Sequence, residues 1–180
     1  MHSMRRILFY LVVTAWSFSV AGELTADTAE YRMNAGDRIS IRVYGESDLS
    51  VDAILGESGS INYPFLGEVE VAGLTPTELE AKIFKGLEGD YLVNPSITVT
   101  ITQYRPVFIY GEVQVPGGYS YQPGLTVGKA AALAQGLTER GSESRIYLTR
   151  EGMPEGKKMR VSLSTKLQPG DVITIEQGFF

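Results

Sequence analysis

A seven-residue pattern, Gly-Glu-Val-x-Val-x-Gly, occurs twice in this chain, beginning at Gly67 and again at Gly111, 44 residues on. Glycine enters left-handed backbone without steric cost, so each copy reads as a short strand bounded by turns. Each copy leads to a Leu-Thr pair, Leu74-Thr75 and Leu125-Thr126, and then to a stretch of helical character. Two such passages within 180 residues point to two small units built on one theme rather than to one large core.

Local signals fill in both units. Ile39-Ser40-Ile41-Arg42-Val43 alternates as a half-buried strand does, and Val51 to Leu55, Ile61 to Tyr63 and Gly67 to Gly73 read as further strands. Thr75-Pro76-Thr77-Glu78 combines an N-cap threonine, a proline at the first helical position and a glutamate able to reach back to the cap. Leu79, Ile83 and Leu87 then give the helix one apolar face, and Gly86 and Gly89 end it. Ile97 to Thr102 alternates apolar residues with threonine without fault.

In the second unit, Val107 to Tyr110, Val113 to Val115 and Gly118 to Tyr121 read as strands. Thr126 caps a helix from Val127 to Gln135, whose alanines let it lie close to a sheet, and Gly136 stops it. Arg145 to Thr149 and Met159 to Leu163 follow as strands. Pro169-Gly170-Asp171-Val172-Ile173 repeats the form of Ala35-Gly36-Asp37-Arg38-Ile39, a tight Gly-Asp turn into a strand. The expected fold class is α+β, with two small domains over 31–104 and 105–180, each a mixed β-sheet with one packed helix. Each domain is near the lower size limit for a stable core, so oligomerisation would help both.

Residues 1–21 read as a cleaved signal peptide: Arg5 and Arg6, an apolar run from Ile7, and small residues Ser19 and Ala21 at the cleavage site. Residues 22–30 read as a flexible leader. Losing Arg5 and Arg6 from 16 basic residues leaves 14 against 21 acids, a formal charge of −7. That balance argues against a nucleic-acid partner, whose phosphates need a basic surface. The chain has no cysteine, and its single histidine, His2, falls in the signal segment. A mature chain without His or Cys lacks the usual zinc and copper ligands and the usual nucleophile–base pairs. The expectation is a non-enzyme with no catalytic, metal or cofactor residues.

Glu68 and Glu112 hold the same place in the two motifs, but they belong to separate units and read as exposed carboxylates rather than a glycosidase pair. Tyr104, Tyr110, Tyr119 and Tyr121 gather around the start of the second unit and suit packing, a subunit interface or a sugar face. Arg105 beside them is a further saccharide or subunit contact, and Arg38 and Arg42 suit either an acidic polymer or solvent. The two Gly-Asp pairs read as ordinary turns. Phe179-Phe180 is an apolar end, read as a docking element for a partner.

Tyr31, Gly36-Asp37, Gly59, Pro64, Gly67, Val71-Ala72-Gly73, Thr75 and Asn94-Pro95, in that order, resemble the polysaccharide export domain of outer-membrane polysaccharide exporters. Gly111-Glu112-Val113, Pro116-Gly117, Ala134 to Thr138 and Pro169 to Ile173 resemble the soluble-ligand-binding β-grasp domain that follows it in such proteins. The resemblance implies an exported periplasmic subunit associated with the outer membrane, forming a homo-oligomeric ring that conducts capsular or exopolysaccharide. It implies an inner-membrane polysaccharide co-polymerase as partner. Many relatives carry a lipid-modified cysteine after the signal and end in a pore-forming helix; this sequence shows neither, so a separate outer-membrane barrel is expected. The competing expectation is a monomeric periplasmic glycan- or ligand-binding β-grasp module.

Overall fold

The computed structural model describes residues 30–178. The signal segment, nearly all of the leader, and Phe179 and Phe180 lie outside the described residues. The first domain contains β1 (Arg38–Val43), β2 (Val51–Ile54), β3 (Ser60–Tyr63), β4 (Gly67–Glu70), α1 (Pro76–Leu87) and β5 (Ile97–Gln103). β1 lies between β2 and β5 in an antiparallel sheet, while β3 and β4 form a separate hairpin. The alternation read in the sequence places Ile39, Ile41 and Val43 inward, against Leu79, Ile83 and Leu87 of α1. Arg38 and Arg42 face out. The capping box is complete: the Thr75 side chain accepts from the Glu78 amide, and the Glu78 carboxylate accepts from the Thr75 amide at 2.9 Å. Arg32 ties the incoming chain to the same glutamate at 2.8 Å.

The second domain contains β6 (Val107–Gly111), β7 (Gly117–Tyr119), α2 (Val127–Leu133), β8 (Gly141–Thr149), β9 (Met159–Val161) and β10 (Val172–Gln177). Its sheet order is β7-β6-β10-β8-β9, with the first and last strands parallel at the centre. That arrangement, with one helix across one face, is a β-grasp. Ala130, Ala131 and Ala134 are buried against Ile109, Ile146 and Ile173, the close helix–sheet approach that alanine permits. The two domains have separate apolar cores.

The two motif copies fold differently. The first supplies β4, whereas Val113 to Val115 of the second is not a strand. Gly111, at φ +87°, turns the chain out of the sheet. The amides of Gln114 and Val115 then donate to the carbonyls of Gly136 and Ala134, so the segment satisfies the end of α2 instead of a sheet edge. Valines alternating with polar residues serve either arrangement. α2 also ends before Gln135, which takes left-handed backbone (φ +65°) just ahead of Gly136 (φ +90°).

Candidate functional site

Tyr104-Arg105-Pro106 joins β5 to β6, and the two Gly-Asp turns close on this linker from either side. Each turn has glycine in left-handed backbone, Gly36 at φ +92° and Gly170 at φ +84°. In each, the aspartate carboxylate accepts from the amide three residues back, Asn34 at 2.8 Å and Gln168 at 2.7 Å. Both aspartates are fully buried. Their roles then diverge. Asp37 accepts from the Tyr31 hydroxyl at 2.6 Å and, across the joint, from the Arg105 amide at 2.8 Å. Asp171 accepts twice from the Arg150 guanidinium, at 2.8 and 2.7 Å.

The Arg105 side chain lies between the two turns. Its Nε donates to the Pro169 carbonyl at 3.1 Å, and its Nη2 pairs with Glu151 at 2.9 Å. A Cβ added at Gly170 would stand 2.6 Å from Arg105 Nε, and one at Gly36 would stand 3.2 Å from Arg105 Cβ. The absence of a side chain at both turns is what lets the arginine through. Its Nη1 is buried without a hydrogen-bond partner among the described residues. Asn34 adds a second bridge between the domains, donating to Glu151 at 2.8 Å.

Three tyrosine rings complete the joint. Tyr104 meets Tyr31 edge-on at 5.0 Å and Tyr121 edge-on at 5.4 Å. Such contacts hold orientation as well as bury area. Burial, and then the hydrogen bond to Asp37, pushes the Tyr31 phenol far above its ordinary value. Burial also raises Tyr121. Once pH rises past the ordinary value of 10.0, the unfolded chain releases the Tyr31 proton and the folded chain keeps it, so stability falls. Tyr31→Phe is expected to flatten the drop in urea midpoint between about pH 9 and about pH 11. An equal drop in both proteins would contradict this reading of the joint.

Of the residues singled out in the sequence, the fold therefore brings Tyr104, Arg105 and Tyr121 together and adds Tyr31, Asp37 and Asp171. Tyr119 lies on the edge strand β7, its hydroxyl donating to the Val115 carbonyl at 2.5 Å. Tyr110 is half-exposed on the sheet face away from α2, its ring parallel to that of Phe108 with centroids 6.3 Å apart. Glu68 and Glu112 stay in separate domains and accept from the Ser60 and Thr138 hydroxyls. Arg42 pairs with Asp52 at 2.9 Å, and Arg38 is exposed. Phe179 and Phe180 lie outside the described residues. Among those residues there is no group of three metal-ligating side chains, and no helix long and apolar enough to cross a membrane.

Two family models match successive segments of the chain. Residues 25–102 match the family model described as polysaccharide biosynthesis/export protein, and residues 106–162 match that of the SLBB domain. The exopolysaccharide production protein ExoF of Rhizobium meliloti is 34% identical over 72% of this chain and 34% of its own length. The EPS I polysaccharide export outer membrane protein EpsA of Ralstonia nicotianae is 29% identical over 87% of this chain and 50% of its own. The polysialic acid transport protein KpsD of Escherichia coli is 29% identical over 55% of this chain and 18% of its own. The chain thus spans half or less of the length of these curated relatives.

Proposed function

We propose that this chain, a member of the polysaccharide export family, acts in polysaccharide export as a periplasmic subunit of an oligomeric ring that conducts polymer toward the outer membrane. The observation that carries this reading is the succession of the two family matches along one chain, 25–102 and then 106–162, with the Arg105 linker between them. Homologues that share the chain's span are named for producing, exporting or transporting polysaccharide. The joint supports a mechanical role. Part-buried hydrogen bonds, the Arg105–Glu151 ion pair and edge-on tyrosine contacts brace the joint, as a subunit repeated around an axis requires.

Within this reading Tyr104, Arg105 and Tyr121 set the angle between domains, and Tyr119 steadies the edge of the second sheet. A saccharide or subunit contact falls to Tyr110, whose ring is open to solvent. The inner-membrane polysaccharide co-polymerase would deliver polymer, and a separate outer-membrane barrel would receive it. The chain positions polymer and makes or breaks no covalent bond. Deleting the gene tests the export role. Polymer should still be made, be lost from the cell surface and be recovered from the periplasm. Unchanged surface polymer would refute the role.

A further inference from the structure

Among the described residues, four of the nine large apolar side chains that stand exposed share one end of the export domain: Tyr44, Phe65, Tyr91 and Val93. Val93 is 95% exposed and Tyr44 88%, values that leave both side chains almost without protein neighbours. Phe65 stacks on Tyr91 with ring centroids 4.9 Å apart. It does so from left-handed backbone, φ +63°, a conformation that costs a non-glycine residue energy. The Tyr44 amide donates at 2.9 Å to the carbonyl of Ser96, three residues beyond Val93. Strained backbone that presents an apolar ring to water gains nothing for an isolated monomer.

The surroundings say what covers this knob. Glu46 and Asp48 follow Tyr44, Glu88 and Asp90 precede Tyr91, and none of the four is in an ion pair among the described residues. Lys85 stands in the last turn of α1, and Arg42, which lines one pocket with Tyr44 and Glu46, is paired with Asp52. An acidic flank is repelled by anionic lipid headgroups and calls for a protein surface that is apolar within and basic at its margin.

This chain carries such a surface at its joint. A groove of about 560 Å³ is lined by Tyr31, Tyr121, Leu167 and Pro169 together with the cationic side chains of Arg32, Arg105, Arg150 and Lys166 and one acid, Glu30. Arg32 and Arg150 are partly engaged by Glu78 and Asp171, while Lys166 has no ion-pair partner among the described residues. Knob and groove lie at opposite ends of β1, which starts beside the joint at Arg38 and ends at Val43, next to Tyr44. We propose that the Phe65–Tyr91–Val93 knob of one copy docks into the Tyr31–Tyr121 groove of the next. A contact between two different surfaces of the same chain repeats head to tail and closes into a ring when the rotation allows. The inference rests on the ring reading and names its interface.

Sedimentation of the purified protein across a concentration series tests it. The wild type assembles beyond a monomer. Phe65→Asn removes the ring while keeping a residue that tolerates left-handed backbone, so the fold survives and association weakens about tenfold or more. Asp90→Lys and Lys166→Glu each weaken association about fivefold, and the double variant returns to within about threefold of wild type. Single variants that assemble as well as wild type, or a double variant no better than the singles, would overturn this interface and leave the ring standing. A wild type that stays monomeric at every concentration would remove the ring itself.

Discussion

Gly111→Ala is expected to cost roughly 3–5 kcal/mol of stability, a large share of what a small domain has. Gly111 sits at φ +87°, and a Cβ there would stand 2.1 Å from the carbonyl oxygen of Ile175. That atom is backbone of β10, and the Glu112 amide donates to it at 2.9 Å, so it cannot swing aside. The clash strikes the parallel β6–β10 pair at the centre of the β-grasp sheet. Gly67, the matching glycine of the first motif copy, is the control. It sits at φ +69° with nothing within 4 Å of its would-be Cβ, so Gly67→Ala carries only the backbone strain, about 1–2 kcal/mol. Urea denaturation of both variants measures the difference. Equal losses would show that the two glycines are alike, as their shared motif suggests, and that the Ile175 contact is unimportant.

Asp37→Ala is the second large effect, expected at roughly 3–5 kcal/mol. The carboxylate is fully buried and accepts from the Tyr31 hydroxyl and from the Asn34 and Arg105 amides. Removing it takes the acceptor from three donors in a half-buried joint, and each such group costs about 1–3 kcal/mol where water does not replace it. The damage falls on the joint, so cleavage at Tyr104-Arg105-Pro106 by added protease should accelerate along with the loss of stability. Asp37→Asn keeps one acceptor oxygen and is expected to lose about half as much. A variant that is destabilised but no more open to cleavage at the linker would mean that Asp37 stabilises only its own turn.

The features legible in the sequence were those whose parts lie close together along it. The Thr75–Glu78 capping box needs four consecutive residues, and it formed as read. Ile97 to Thr102 alternates within one strand, so its inward face could be assigned from pattern alone. The second copy of the motif misled because Val113 and Val115 look the same whether the chain pairs with a strand or closes a helix end. The joint was harder still. Arg105 and the tyrosines stood out as a cluster, but the role of the arginine depends on Asp37 and Pro169, 68 and 64 residues away. The Gly-Asp turns read as ordinary, and their buried carboxylates give them a larger part than that. The Phe65 knob carried a signal that went unused: an aromatic residue held between Pro64 and Gly67, where a surface turn would ordinarily be polar.

Following labelled polymer after acute depletion of the protein tests the export role most directly. A pulse of labelled sugar enters new polysaccharide, and its chase through periplasmic and surface fractions is timed with and without the chain. The expected result is polymer made at the normal rate that reaches the periplasm and stops there, with surface label restored when the protein is resupplied. Label that reaches the surface at the undepleted rate would contradict a role in export.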